Sequence, residues 1–293
     1  MALPPEVCIR GAGIVGRTLA LLLAGARVRV ALVAPSTDAA TQAREDIRAY
    51  ALNAASRALL ESLRAWPDAQ HATAVREMMV HGDDGGSVHF NAPHHKVDAL
   101  AWIVDVPALE QRLADAVRFS PLVDVVQEPV AAPLTVVCEG KASVTRQTLG
   151  VRYDLIRYPQ HAIADRWTGR LPDGNSWALA GDAAHTVHPL AGQGLNLGLA
   201  DAQALASVIS SREHWRGAGD MRLLRHYERS RRADVLAMSL ATDGLQQLFA
   251  HSADPLPRIR NWGMRGFDRV DLLKSWVARR AMGLARPASR DAH

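Results

Sequence analysis

The sequence predicts an α/β fold, and three observations carry the prediction. An apolar run at 7–9 leads directly into Gly11-Ala12-Gly13-Ile14-Val15-Gly16 and a helical pattern, and a second apolar run follows at 28–33. A 21-residue block at 181–201, GDAAHTVHPLAGQGLNLGLAD, joins another apolar run to a second helix opened by glycines. Beyond Met221 the chain is helical in period, so strands and helices share the first two thirds and helices make up the last.

Composition sets the outer limits. At 293 residues and 48% hydrophobic content the chain can bury a substantial core, as one large domain or two modest ones. The formal charge of +4 hides an asymmetry: from Arg212 onward 16 Lys and Arg face 9 Asp and Glu, so the last third is basic and the rest mildly acidic. Those cations alternate with carboxylates and apolar positions and lack interleaved aromatics, which argues for a solvated helical face and against nucleic-acid binding. The same segment is compatible with peripheral attachment to anionic lipid. Cys8 and Cys138 fall among apolar neighbours in predicted strands, as packed, reduced thiols do. Glu6, Arg10 and Arg17 break any signal-peptide pattern, and no apolar run reaches spanning length. The expected location is the cytoplasm, peripheral at the inner membrane face if the lipid contact holds.

Taken in order, the first strand, glycine turn and helix to about Ala24 form a βαβ unit with the following strand. Gly11 supplies the tight turn, Gly13 the close approach of backbone to a pyrophosphate, and Gly16 the close packing of helix on strand. The acidic residue that usually ends the second strand and holds a ribose is replaced by Ala34 and Pro35. Two extended runs between Glu77 and Phe90 flank Gly82-Asp83-Asp84-Gly85-Gly86, which predicts a hairpin. His94 and His95 fall in a polar loop with no cysteine or carboxylate cluster, and His185 and His188 lie inside the long block, so no metal site is expected. A helix over 107–117 places Leu109, Leu113 and Val117 on one face, and 134–138 reads as a strand.

In the long block, Gly181 ends the strand 177–180 with a turn that leaves the Asp182 carboxylate at the strand tip. After Pro189, the Gly192-Gln193-Gly194 turn opens a helix with Asn196, Gln203, Ser207 and Ser210 as its polar face and Leu195, Leu199, Ala202 and Ile209 among its apolar positions. A helix N-terminus carries unpaired N–H groups and about half a positive charge, which stabilises an anion such as a reduced flavin. A helical region over 221–249, open to a break at Gly244, and an amphipathic helix over 267–282 complete the chain.

The 181–201 block resembles the second flavin motif of the class A flavoprotein aromatic hydroxylases, in particular the UbiH/UbiF-type hydroxylases of ubiquinone biosynthesis. The resemblance runs from Val7 to about Gly283. It implies that Asp182, after Gly181, binds the ribityl chain. It also implies that Pro189, Gly192, Gln193, Gly194 and the amides of Leu195 and Asn196 lie against the isoalloxazine. Arg48, in DIRAYALNAAS, matches the family's Arg-containing helix start beside the flavin. The run from Glu139 to Arg146 resembles the family's DG motif, with Glu139 in place of Asp and with Gly140, Ser143 and Arg146 in register. That motif implies contact with the FAD pyrophosphate and a part in NAD(P)H use.

The segment at 158–164 resembles the start of the family's large substrate sheet, and 165–169 resembles the segment after it. In full-length relatives these are separated by most of the substrate domain; here they abut near Ala164. The expected architecture is a Rossmann-like FAD-binding fold of the aromatic-hydroxylase type with a reduced substrate sheet and a helical C-terminal region. Its parts are a βαβ unit at 1–68, a substrate-facing hairpin at 69–106, an FAD-binding part at 107–164, and the flavin motif with C-terminal helices at 165–293. The implied activity is FAD- and NAD(P)H-dependent hydroxylation by O₂ of a hydrophobic aromatic ring, a polyprenylated phenol or quinol, with the flavin performing the chemistry and no side chain assigned as catalyst. Two alternatives stay open: an impaired flavin-binding remnant or non-enzymatic partner of other ubiquinone-pathway proteins, and an unrelated nicotinamide dehydrogenase built on GxGxxG, which leaves the 181–201 block unexplained.

Overall fold

The apolar runs of the sequence come to lie side by side in the computed structural model, which describes residues 3–34, 47–81, 87–155, 162–186 and 194–250. Strand β1 (Val7–Arg10) enters helix α1 (Ile14–Gly25), and β2 (Val30–Val33) returns parallel to β1. Strand β3 (Ala49–Leu52) and helix α2 (Ala54–Ser62) follow, then β4 (Ala72–Val75), the antiparallel hairpin β5 (Glu77–His81) and β6 (Ser87–Asn91), and β7 (Ala101–Asp105). Helix α3 (Val106–Arg118) leads to β8 (Val123–Val126) and β9 (Leu134–Val137), and a short helix α4 (Val144–Thr148) to β10 (Tyr153–Leu155). Strands β11 (Ala162–Ala164), β12 (Thr168–Arg170), β13 (Ser176–Leu179) and β14 (His185–Thr186) precede the long helices α5 (Gly194–Ser210) and α6 (Met221–Ala250).

The main sheet has the order β12-β13-β9-β1-β2-β8. Its five strands from β13 to β8 are mutually parallel, and β12 closes one edge antiparallel. Parallel strands covered by helices bury both faces, and the sequence obliges: Val7, Cys8, Ile9, Leu134, Val136, Ala178 and Leu179 are all fully buried. At roughly 1.5–3 kcal/mol for each large aliphatic side chain removed from water, this layer is the main source of stability. Helix α1 contributes Leu19, Ala20 and Leu23 to the same core. A second core lies under the sheet β3-β7-β4, where Leu52, Leu60, Trp102 and Val104 meet Leu109 and Leu113 of α3. The third small sheet, β10-β11-β14, carries the chain into the 181–201 block.

Several expectations are met and several are corrected. The βαβ unit, the hairpin strands, the buried face Leu109, Leu113 and Val117, and the strand before Gly181 are as predicted. Arg48 does not open a helix: it directly precedes β3, its carbonyl accepts from the Val106 N–H at 3.0 Å, and the helix starts only after Asn53, whose side chain caps it by accepting from the Ser56 N–H at 2.9 Å. Helix α6 runs through Gly244 without a break. The hairpin turn at 82–86 and the helix expected at 267–282 lie outside the described residues.

Candidate cofactor site

Three neighbouring parallel strands end level with one another. Val137 of β9 is in register with Arg10 of β1 on one side and with Leu179 of β13 on the other. The residues that follow, Gly11, Glu139 and Gly181, therefore emerge together at the carboxyl edge of the sheet, where open α/β sheets bind ligands. All three motifs read from the sequence meet here.

The first turn has no slack. Gly11 has φ +108°, and a Cβ on it would stand 2.5 Å from the Cys138 carbonyl oxygen. A Cβ on Gly16 would come within 1.9 Å of the Gly11 carbonyl oxygen. Gly13 differs, because among the described residues a Cβ there would meet nothing within 4 Å. Gly13 is also the N-cap of α1, with no side-chain cap and no acidic residue in the first turn. Open space thus faces uncapped N–H groups at a helix start, which suits a phosphate.

The second turn, a single 3-10 turn at Gly181–Ala183, is gripped on its main chain. Gly181, at φ +63°, packs on Val15 of α1, and a Cβ on Gly198 of α5 would lie 2.8 Å from the same Val15 side chain. Helices α1 and α5 thus cross at small residues, which brings the two glycine turns together. The carboxylate of Asp182 has no hydrogen-bond or ion-pair partner among the described residues. The residue keeps an exposed face, but the packed strand end around its carboxyl raises the pKa; Asp201 adds to this, and His185 and Lys141 oppose it. A Cβ on Gly194 would sit 4.0 Å from Asp182 Oδ1, so the start of α5 lies beside this carboxylate.

The side chains of the DG-like segment make their contacts within the protein. The Glu139 carboxylate is occupied by the protein: it accepts from Arg10 Nε at 3.1 Å, Ser143 Oγ at 2.8 Å, and Thr145 N and Oγ1 at 3.1 and 2.6 Å. Burial raises its pKa, but the bonds from Thr145 and Ser143 and the charge of Arg10 outweigh burial and lower it. Arg146 is buried, with Nη1 donating to the Ala183 carbonyl at 3.1 Å, Nη2 to the Lys141 carbonyl at 2.8 Å, and its guanidinium 3.9 Å from the centre of the Tyr153 ring. Both side chains brace the edge, and the open position of this loop is Gly140, at φ +79° with no atom of the described residues within 4 Å of a Cβ.

Asn196 is also corrected. It leaves the predicted polar face and is buried, its Oδ1 accepting from Asn53 N at 2.9 Å and Ser56 Oγ at 2.7 Å and its Nδ2 donating to the Ala51 carbonyl at 2.8 Å. The side chain welds α5 to β3 and α2. Leu195 and Gly194 begin α5 as expected, whereas Pro189, Gly192 and Gln193 lie outside the described residues.

Asp201, a fully buried carboxylate, received no role from the sequence. It accepts from Gly181 N at 2.9 Å, His185 Nε2 at 2.6 Å and Arg231 Nε at 2.7 Å. Burial raises its pKa, but His185 and Arg231 together prevail and hold the carboxyl below its ordinary range. His185 stacks against Trp167, with centroids 5.2 Å apart, and does not face outward as half of a metal pair. A signal for Asp201 existed: Leu197, Asp201, Leu205 and Ile209 recur every four residues, placing a carboxylate on an apolar stripe.

The comparisons agree with this geometry. The family described as FAD binding domain matches residues 154–241. The chain is 26% identical over 387 residues to 3-demethoxyubiquinol 3-hydroxylase of Escherichia coli K12, spanning 96% of this chain and 99% of that protein. That stretch exceeds the chain's own 293 residues, so it includes positions to which this chain brings none. The human mitochondrial ubiquinone biosynthesis monooxygenase COQ6 is 42% identical over 101 residues, 34% of this chain and 22% of that protein, so there the chain matches about a fifth of the relative's length. In fold, p-nitrophenol 4-monooxygenase PnpA from Pseudomonas putida DLL-E4 superposes with a TM-score of 0.76 at 15% identity, over 98% of this chain and 100% of that one. With two glycine turns, a braced DG-like loop and an aspartate whose carboxylate has no partner among the described residues on one sheet edge, the chain is similar to FAD-binding hydroxylases of ubiquinone biosynthesis.

Proposed function

We propose that the protein is an FAD-dependent monooxygenase that hydroxylates the ring of a polyprenylated phenol or quinol in ubiquinone biosynthesis, with NAD(P)H as donor and O₂ as co-substrate. The observation that carries the reading is the convergence at the carboxyl edge of the sheet, where the Asp182 carboxylate, without a partner among the described residues, lies beside the start of α5 and on the same edge as the uncapped start of α1. These groups suit FAD: N–H groups at α1 and the open Gly13 for the pyrophosphate, and Asp182 for hydroxyls of the ribityl chain. Bound there, the flavin supplies the redox chemistry, taking electrons from NAD(P)H and passing them to O₂. The chain's own part is to bind, orient and offer the positive end of α5 to developing negative charge. The names of the ubiquinone-pathway relatives support the substrate class. Among the described residues no helix is long and apolar enough to cross a membrane.

The test is the visible absorbance spectrum of the purified protein, followed by NADPH oxidation with and without a short-chain phenolic ubiquinone precursor, with catalase to trap peroxide. Bound flavin and substrate-stimulated turnover to hydroxylated product are expected. Colourless protein, or turnover that yields only peroxide, overturns the reading in favour of a flavin-binding remnant or non-enzymatic partner, which the alignment exceeding this chain's length favours.

A further inference from the structure

Consecutive residues of the turn that carries Asp182 are held from three separate places. Asp201 of α5 accepts from the Gly181 N–H at 2.9 Å. Tyr153 of β10 donates its hydroxyl to the Asp182 carbonyl at 3.0 Å and shares a 2.5 Å hydrogen bond with Thr186 Oγ1. Arg146 of α4 donates to the Ala183 carbonyl at 3.1 Å. Ala184 is then secured by the Ala164 N–H, which donates to its carbonyl at 2.8 Å. A 3-10 turn with a left-handed glycine does not hold such a shape unaided, because few of its own backbone groups pair with each other.

We propose that Asp201 and Tyr153, together with Arg146, are positioning residues for the flavin: they fix the main chain of Gly181–Ala183 from three elements so that the Asp182 carboxylate is aimed before the cofactor arrives. Neither Asp201 nor Tyr153 touches the ligand in this scheme. Each acts through Asp182, by removing the conformational entropy that the turn would otherwise lose on binding. Asp201 serves as an anchor because His185 and Arg231 hold it in turn, at 2.6 and 2.7 Å, in a site where water does not compete. Tyr153 is itself held by the Arg146 guanidinium against its ring, so the two grips on the carbonyl side form one unit.

The proposal rests on the FAD reading, and the experiment separates the two. Wild-type protein, Tyr153→Phe and Asp201→Asn are stripped of flavin and titrated with FAD, following flavin fluorescence, the visible circular dichroism of the bound flavin, and the thermal melt of each apoprotein. Tyr153→Phe removes two neutral hydrogen bonds at a half-buried site, of which the one to the Asp182 carbonyl holds the turn, so FAD affinity should fall by about 2- to 10-fold with at most a modest drop in the apo melt. Asp201→Asn replaces charge-assisted bonds, and affinity should fall by about 10-fold or more, with altered flavin dichroism. A purely structural role would lower the apo melt of Asp201→Asn and leave affinity and dichroism of the folded protein at wild-type values; that result overturns the clamp. If Asp201→Asn does not fold, Tyr153→Phe decides alone, and wild-type affinity there overturns it. Wild-type protein that binds no FAD instead overturns the flavin reading and the clamp with it.

Discussion

Arg231→Met tests whether helix α6 is electrostatically part of the cofactor edge. In the wild type Arg231 lies buried on α6 and donates Nε to Asp201 at 2.7 Å, while its Nη1 reaches the exposed Asp234. The pair to Asp234 is more than half open to water on the acid's side, so it adds little. The pair to Asp201 is different, because both groups are buried and removing Arg231 leaves that carboxylate in the core with His185 and the Gly181 N–H alone, at a cost of about 3–5 kcal/mol. At roughly 2–4 °C per kcal/mol for a domain of this size, the apoprotein should melt roughly 6–20 °C lower. The sign of the pH dependence follows from burial. Without Arg231 the Asp201 carboxyl loses one of the two cations that oppose burial, with His185 still in place, so its folded pKa rises relative to the wild type; the deficit is present above that raised value and is relieved as pH falls through it. Thermal melts at about pH 8 and pH 5 should therefore show the deficit narrowing in acid. In an Asp201→Asn background the same arginine substitution should cost far less, since no charge is left stranded. A deficit below about 1 kcal/mol, or one equal in both backgrounds, would refute the reasoning.

Other perturbations separate fold from cofactor. Asp182→Asn should raise the apo melting temperature slightly near neutral pH, because the raised carboxyl pKa marks a charge that folding disfavours, while FAD affinity drops; a lower melt would contradict the assigned direction. Gly16→Ala should cost about 3 kcal/mol, the top of the overpacking range, because its Cβ meets the backbone oxygen of Gly11, itself wedged against Cys138. Gly13→Ala should leave the apo melt near wild type and weaken FAD, and calorimetry with and without FAD distinguishes the two glycines. In the wild type, the lowered pKa values of Asp201 and Glu139 place their contribution above the unfolded values of about 3.9 and 4.3, and it is lost as pH falls below them; an acid titration in which Asp201→Asn declines as steeply as wild type would count against it.

The sheet was legible because its signals are local. A strand, a glycine turn and a helix within twenty residues announce themselves through period and turn chemistry, and 7–24 and 177–209 did so. What escaped were side chains whose partners are distant in sequence. Asn196 reads as polar on a helical wheel, yet its partners are Asn53, Ser56 and Ala51, so burial became favourable only after α2 and β3 were in place. Asp201 and Arg231 each interrupt an apolar stripe, Leu197–Leu205 on α5 and Leu224, Tyr227 and Val235 on α6. Read separately each looks like a blemish; read together they are an ion pair, since a buried charge requires its opposite. Arg48 was misplaced because a strand of four residues intervenes before the helix, and short strands carry little periodic signal.

The peptide joining Ala164 to Asp165 is stitched on both sides to other parts of the molecule. Upstream, β11 is laddered to β10 and β14. Downstream, the Asp165 N–H donates to the Arg152 carbonyl at 3.0 Å, Arg232 donates to the Asp165 carbonyl at 2.8 Å, and the Trp167 N–H donates to Glu228 of α6 at 3.0 Å. A chain pinned at exit and re-entry can bulge between them by any length at small entropic cost, about 0.6 kcal/mol per doubling. Whole layers can therefore be spliced in or out at this seam while the edge that carries Asp182 keeps its shape, which lets the covering of the flavin evolve on a separate schedule from its seat.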